Sequence, residues 1–229
     1  MAAYKARTCF LSVLDWLHRN SLVADLVKTE LMVFIKRGAN PDITGGLIHG
    51  LQYHDPLQGD SHITMVHSLR YLGVFLDDML SWHNHVCIMA NRARSTIRGI
   101  NLLGNLVRGL DFLNWRKVYN ALVILALTYG VPVWYTGHRQ KGLLKILQIA
   151  QNDGLRKITG VFKTMPTEPL HNLTGILPIS YLLKKLMRSY SLRLKGLPPP
   201  AKVRTVLVSD QCQYWPHYLH PSMNLSCAS

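Results

Sequence analysis

The stretch "SLRYLGVFLDDMLSWHNHV", residues 68–86, marks a change of hydrophobic period along the chain. Its first ten residues have the dense apolar composition of a β-strand. From Trp82 onward the apolar residues recur every three or four positions, as they do on one face of an α-helix. That face comprises Trp82, Val86, Met89, Ala93, Ile97, Ile100 and Leu103, whereas Asn91, Arg94 and Arg98 fall on the opposite face. The sequence therefore predicts a mixed region up to residue 78 and a helical region after it.

The residues before this change combine a helix with short strands. The segment "CFLSVLDWLHRNSLVAD" (9–25) has helical spacing, and "KTELMVFIK" (28–36) is a dense apolar run typical of a buried strand. Turns rich in glycine, proline and aspartate follow, with a short strand predicted near 47–53. The predicted class is α+β, with a small β-containing part at 1–78, a mostly α-helical bundle at 79–196 and an irregular tail at 197–229.

Four further helices are predicted within the helical region. The first begins at Asp111, a good N-cap, and its later part is apolar nearly all round, which places it at the centre of the bundle. The next covers about 139–159, ends near Gly160 and has a polar face. A short helix is capped by Thr167 and ends at Gly175, and a final one fills "PISYLLKKLMRSYSLRLKG". The polar face comprises Lys141, Lys145, Gln148, Asn152 and Arg156.

The charge of the chain indicates an anionic partner. Its 26 Lys and Arg residues exceed its 12 Asp and Glu residues, for a net charge of +14. Between residues 79 and 204 there are 19 basic residues against only Asp111, Asp153 and Glu168. Several basic helix faces with few acidic residues among them favour contact with a phosphate backbone. The candidate nucleic-acid-binding residues are Arg94, Arg98, Lys141, Lys145, Arg156 and Lys157.

Membrane insertion and secretion are not expected. The most apolar stretch, "ALVILALTYGVPVWY" (121–135), is shorter than the roughly 20 residues that span a bilayer and contains Pro132. The four cysteines are widely separated, and charges interrupt every apolar run of the first 20 residues. We expect a reduced intracellular protein, in the nucleus or the cytoplasm.

The adjacent carboxylates Asp77 and Asp78 match the spelling of a polymerase metal box. A two-metal site needs carboxylates from separate segments of the chain, and a helix follows this pair where the box needs a second strand. The alternative is that one aspartate caps the helix, and the residues favour it. A zinc site is not expected, because among His62, His67, His83, His85 and Cys87 only one pair shares a helical face. No metal-binding residues are predicted.

Four segments, in order, carry a family likeness. The segments are "KTELMVF" (28–34), "SLRYLGVFLDDMLSWHNHV" (68–86), "ALTYGVPVWY" (126–135) and "LQIAQNDGLRKITGVFKTMPTEPLHNLTGILPI" (147–179). On these segments the chain resembles the C-terminal part of the reverse transcriptase encoded by non-LTR (LINE-like) retrotransposons, which comprises the end of the palm, the primer-grip strand and the thumb. The likeness covers roughly residues 10–190.

The resemblance implies roles for particular residues. In that family the lysine of the KTE segment is proposed to assist proton transfer to the departing pyrophosphate, and here it would be Lys28. The "YLG" segment is similar to the primer grip, so Tyr71, Leu72 and Gly73 would hold the primer end. The helices after Trp82 resemble the thumb, which closes on the template–primer duplex.

The family's catalytic aspartates precede the KTE segment, and only 27 residues precede it here. The resemblance therefore implies a fragment that grips a template–primer duplex of RNA or DNA without a cofactor of its own. Mg²⁺ is expected only for a complete polymerase, whose N-terminal half would be a further partner. Two alternatives stay open: a stand-alone nucleic-acid-binding protein that has kept the thumb's charge, and a relic reading frame whose product is not stably folded.

Overall fold

The computed structural model describes residues 2–25, 28–34, 50–55, 59–104, 111–137 and 140–196. Two small antiparallel sheets lie between residues 51 and 77 and helices follow, so the predicted α+β class is confirmed. The chain divides into two units, Met1–Ile88 and Met89–Ser229. This division falls inside a helix, whereas the predicted one is at residue 78. The predicted tail at 197–229 lies outside the described residues.

The first unit contains a small core between a helix and a hairpin. Helix α1 (Ala2–Arg19) packs against strand β1 (Leu51–Asp55), which pairs with β2 (Gly59–Ile63). The ring of Phe10 meets that of Tyr53 edge to face, with centroids 4.8 Å apart. The buried residues of this core are Leu14, Leu51, Tyr53 and Ile63. The predicted N-terminal helix therefore forms, although it ends at Arg19, earlier than predicted.

The strand predicted at 28–36 is wrong for the part that the structure describes. Leu31 makes a single parallel β-bridge with Met65, in which the Val66 amide donates to the Leu31 carbonyl oxygen over 2.8 Å. Because Leu31 pairs with the connection between two hairpins, it has no strand to extend along among the residues that the structure describes. The strand predicted near 47–53 overlaps β1, and its first residues lie outside the described ones.

The stretch 68–77 is a hairpin and not the single strand that was predicted. Strand β3 (Ser68–Tyr71) pairs with β4 (Val74–Asp77), with Tyr71 opposite Val74. The two-residue loop has φ angles of 48° at Leu72 and 82° at Gly73. Two successive positive φ angles define a type I′ turn, whose twist matches that of the flanking strands. Asn-Gly is the usual sequence signal for a type I′ turn. Because leucine stands at the asparagine position here, the sequence did not predict the turn.

Helix α2 (His83–Gly104) confirms the helical period read from the sequence. Its predicted apolar face is buried at Val86, Met89, Ala93, Ile97 and Ile100, and the predicted opposite face is exposed at Asn91 and Arg98. The helix crosses the division between the two units after Ile88.

The helical run from Phe112 to Trp134 is irregular. It comprises α3 (Phe112–Val118, with Asp111 at the N-cap), a π-helical segment (Tyr119–Ile124), α4 (Leu125–Leu127) and α5 (Val131–Trp134). The prediction that its later part lies at the centre of the bundle is wrong, because one side of that part is exposed. Tyr119, Val123 and Leu127 are buried, whereas Leu122, Leu125 and Val133 are exposed.

By length and composition, Phe112–Trp134 could also cross a membrane, and it is the one such helix in the described part of the chain. The core helix of a soluble protein meets the same criteria, so the pattern alone does not place the chain in a bilayer.

The last three helices, α6 (Lys141–Thr159), α7 (Thr167–Thr174) and α8 (Ile179–Lys195), confirm the predicted spans. Helices α6 and α7 end at Gly160 and Gly175, whose φ angles of 68° and 62° are those of left-handed helix caps. The predicted cap at Thr167 is wrong. Thr167 is the first helical residue, Pro166 precedes it, and no side chain caps the helix. Helix α6 packs against both α7 and α8.

Candidate nucleic-acid interface

The carboxylates of Asp77 and Asp78 both face donors within the protein, at the junction between β4 and α2. Asp77 accepts hydrogen bonds from the backbone amides of Ser81 (2.9 Å) and Trp82 (3.1 Å). Asp78 Oδ2 lies 3.0 Å from Nδ1 of His67. As the capping alternative expects, Asp77 accepts hydrogen bonds from backbone amides. Those amides belong to the turn before α2, however, and not to the first turn of the helix.

The junction between β4 and α2 is held in a strained conformation. Leu80 and Trp82 have φ angles of 50° and 64°, in the left-handed region that side chains disfavour. Partial burial acts to raise the pKa of Asp77, but hydrogen bonds from the Ser81 side chain and from the Ser81 and Trp82 amides outweigh it and hold the pKa below its ordinary value. The ionised carboxylate therefore stabilises this junction.

The histidines near this junction make separate contacts. His83 Nε2 lies 3.5 Å from the sulfur of Cys87, one helical turn away. His85 is fully buried, and its Nδ1 accepts the Phe75 amide over 3.3 Å. Within the residues that the structure describes, no group of three His, Cys, Asp or Glu side chains could hold a metal ion.

The three residues of the "YLG" segment form the tip of the β3–β4 hairpin. Tyr71 is the last residue of β3, and Leu72 and Gly73 are the turn. The side chains of Tyr71 and Leu72 are large, apolar and exposed, at 63% and 80%. Arg70, behind them, holds its guanidinium 5.9 Å from the centre of the Phe75 ring. The tip therefore presents an apolar surface to whatever contacts it.

Lys28 lies on the surface and is paired. Its ammonium group is 2.7 Å from Asp25 Oδ2, and its side chain is 83% exposed. The hydrogen bond and the charge of Asp25 raise the pKa of Lys28 above its ordinary value. Lys28 therefore keeps its proton more firmly here than a free lysine would. The predicted role in proton transfer stays a prediction.

The two predicted arginines of α2 have different surroundings. Arg98 is exposed. Arg94 is only partly exposed, lies 3.8 Å from Asp153 Oδ2 on α6 and donates to the Asn91 side chain over 3.1 Å. Asp153 is one of the three acidic residues between 79 and 204, and its negative charge partly offsets the positive charge of Arg94. Of the predicted cations, Arg94 should therefore attract a phosphate least.

The predicted polar face of α6 is exposed only in its first half. Lys141 and Lys145 are exposed and one turn apart, whereas Asn152 is buried. Arg156 is half-buried and donates to the Met165 carbonyl oxygen over 3.4 Å, in the segment that leads into α7. The second half of this polar face is therefore buried at Asn152 and half-buried at Arg156. Lys157 is exposed, on a different side of the helix from Lys145.

Three curated proteins are similar to this chain. The RNA-directed DNA polymerase from mobile element jockey of Drosophila funebris is 27% identical over 138 residues, or 60% of this chain. A putative 115 kDa protein in the type-1 retrotransposable element R1DM of Drosophila melanogaster is 25% identical over 137 residues, and the retrovirus-related Pol polyprotein from the type-1 retrotransposable element R1 of Nasonia vitripennis is 26% identical over 121 residues.

This chain resembles non-LTR retrotransposon polymerases. The resemblance read from the sequence motifs is thereby confirmed. The chain spans only 15%, 13% and 35% of the lengths of the three relatives. No family model matches the chain, and no solved structure matches it.

A set of buried hydrogen bonds within the second unit involves residues of the quoted segment 147–179. Gln151 is fully buried; its amide donates to the Leu177 carbonyl oxygen over 2.9 Å and its side-chain oxygen accepts the Ile179 amide over 2.7 Å. Tyr119 donates its hydroxyl hydrogen to the Gln151 carbonyl oxygen over 3.1 Å, and burial raises the Tyr119 pKa, so the hydroxyl stays protonated. Together these bonds join the π-helical segment, α6 and the start of α8.

Gly154 lies one turn after this bridge, where the helices approach closely. A Cβ atom there would come within 2.7 Å of the Tyr119 ring and 2.8 Å of Ile97 Cδ1. Neither Gln151 nor Gly154 is among the residues predicted from the sequence, although the quoted motif contains both. The available signal was their position outside the predicted polar face of this helix, where a polar residue and a glycine are unusual.

Proposed function

We propose that this chain is part of an RNA-directed DNA polymerase of a non-LTR retrotransposon and that it holds a template–primer duplex through the sugar–phosphate backbone. The similarity to retrotransposon polymerases supports the first part. The second rests on the exposed cations of α2 and α6. Arg98, Lys141, Lys145 and Lys157 extend into solvent from a region that contains few acidic residues. Such contacts supply affinity that is independent of base sequence and decreases with salt.

The hairpin tip suits the primer end in this proposal. Tyr71 and Leu72 can contact the sugars and bases of a terminal nucleotide, where apolar surface replaces water. Lys28 would act only in an assembled active site. The catalytic carboxylates and their Mg²⁺ would come from another segment of the polymerase, because Asp77 and Asp78 are occupied by the junction before α2.

The duplex contacts are tested by changing two exposed lysines of α6. We expect Lys141→Gln with Lys145→Gln to weaken binding of a labelled RNA–DNA hybrid in fluorescence anisotropy. If both lysines contact phosphates, the slope of log affinity against log salt decreases by about two, at roughly 0.9 for each contact. Arg156 is left unchanged because its contact with Met165 makes it part of the fold.

The matched control is Lys5→Gln with Arg7→Gln, which removes two exposed positive charges from α1. It changes the net charge equally and should leave the slope nearly unchanged. An equal loss in the two double variants would mean that net charge alone binds the duplex, and the proposed contacts on α6 would be wrong.

A cooperative thermal unfolding transition of the chain would argue against a relic that does not fold.

Polymerisation is tested separately. With Mg²⁺ and a primed RNA template, we expect the purified chain to extend the primer no more than a protein-free control does. Robust extension that Asp77→Asn or Asp78→Asn abolishes would show that these carboxylates are catalytic and would overturn their assignment to the junction.

A further inference from the structure

Helix α8 exposes a basic and aromatic surface that the duplex contacts do not use. Its buried residues, Ile179, Leu183 and Met187, recur every four positions and lie on one side. At 100° per residue, the opposite side forms an arc of about 100°. Its six members are exposed: Tyr181, Lys184, Lys185, Arg188, Leu192 and Lys195. We call this set the α8 stripe.

The α8 stripe has the charge of a polyanion site. Helix α8 contains five basic residues and no acidic residue along a length of roughly 25 Å. No ion pair engages a cation of this helix within the described part of the chain. A solvated helix face usually carries both signs, which support each other along the helix. The cations of α8 gain no such support and are left for an external anion.

An aromatic ring lies within this basic surface. Tyr181 is 61% exposed at the first turn of α8, and the ammonium group of Lys184 lies 5.9 Å from the centre of its ring. A face of the ring is therefore open to solvent beside a cation. Leu192, 60% exposed, adds apolar surface three turns further along. Proteins that bind single strands combine cations along the backbone with aromatic rings on which bases stack.

We propose that the α8 stripe binds single-stranded nucleic acid, with Tyr181 stacking on an unpaired base and Lys184, Lys185 and Arg188 pairing with the adjacent phosphates. A duplex keeps its bases stacked on each other and offers Tyr181 no free base, so the ring selects single strands. This site goes beyond the duplex contacts on α6 and does not depend on them. It gives the chain separate surfaces for paired and unpaired nucleic acid.

The ring is tested with a labelled twelve-nucleotide oligothymidylate and with a duplex of similar charge whose strands are joined by a linker without bases. Tyr181→Ala should weaken single-strand binding by about 5- to 150-fold, the range measured for one stacked base. Tyr181→Phe keeps the ring and should bind within about twofold of the unchanged chain. Duplex binding should not change in either variant. Because Tyr181 is exposed, circular dichroism should show the same helix content in all three proteins.

The cations are tested with Lys184→Gln, Lys185→Gln and Arg188→Gln together. The salt slope for the single strand should decrease by about two, at roughly 0.7 for each phosphate contact. The α6 double variant should keep its single-strand affinity, so the two proposals fail independently. Equal single-strand binding by Tyr181→Ala and the unchanged chain would overturn this one. So would an equal loss in Tyr181→Phe, or binding to vesicles of anionic lipid without binding to the oligonucleotide.

Discussion

Replacing Gly154 by alanine tests the close approach of helices in the second unit. The new Cβ would lie 2.7 Å from Cε2 of Tyr119 and 2.8 Å from Cδ1 of Ile97, whereas carbon atoms in contact prefer about 3.5–4.0 Å. Neither neighbour can move freely, because both are buried and the Tyr119 hydroxyl is bonded to α6. Overpacking of this kind costs about 1–3 kcal/mol. Alanine regains about 0.5–1 kcal/mol because it restricts the unfolded chain more than glycine does.

The matched control is Gly99→Ala, in the middle of α2, where a Cβ meets nothing within 4 Å. It should stabilise the chain by about 0.5–1 kcal/mol. The helix preference is common to both substitutions, so the difference between the two variants isolates the overpacking, about 1–3 kcal/mol. Urea denaturation followed by far-UV circular dichroism measures it from the shift in midpoint at constant slope.

A second substitution identifies the clashing atom. Ile97→Val removes Cδ1 and should cost about 0.5–1.5 kcal/mol alone, but less in the presence of Gly154→Ala, because it makes room for the new methyl group. The reasoning would be refuted if Gly154→Ala were as stabilising as Gly99→Ala, or if the two substitutions at 97 and 154 were additive.

Two further predictions concern buried and charged groups. Gln151→Leu removes the buried side chain that bonds to the Leu177 carbonyl oxygen and the Ile179 amide, and should destabilise the chain by about 2–5 kcal/mol. The control is Gln148→Leu, on the exposed side of the same helix, which should change the free energy of unfolding by less than about 0.5 kcal/mol in the same urea titration. Asp77→Asn should cost about 1–2 kcal/mol at pH 7. Since the folded pKa of Asp77 is lowered, its stabilisation is complete above its unfolded pKa of about 3.9 and is lost as the pH falls through the folded value. The difference in stability between the two proteins should therefore begin to shrink near about pH 4 and vanish below the folded pKa, and a constant difference would contradict this account.

Hydrophobic period was enough to predict the helices. The face from Val86 to Ile100, the stop of α6 at Gly160 and the stop of α7 at Gly175 follow from local rules, since spacing and glycine determine them without reference to the rest of the fold. The α+β class followed from the change of period near residue 78.

Tertiary packing decided what the period could not. The run 121–135 is apolar on all sides, so its sequence does not say which side is buried. Nor does the sequence show that the segment Tyr119–Ile124, which overlaps this run, is π-helical. Arg156 continues the polar face of Lys141 and Lys145, and its half-burial depends on a contact with Met165, in the segment before α7, that the local sequence does not reveal. The α8 stripe was within reach of the sequence, because its spacing and charges are local. Its cations are among the 19 basic residues between 79 and 204, but all the residues predicted to bind nucleic acid lie on α2 and α6.

The turn at the hairpin tip bears on any attempt to engineer this chain. Leu72 adopts a left-handed conformation that costs a non-glycine residue about 1–2 kcal/mol, and its side chain is 80% exposed. A design procedure that optimises folding alone would replace it with asparagine, the residue this turn prefers, and would record an improvement in expression and solubility. The same change would erase the apolar tip beside Tyr71. Stabilised versions of this chain should therefore keep position 72 fixed until the proposed primer contact at this tip has been tested.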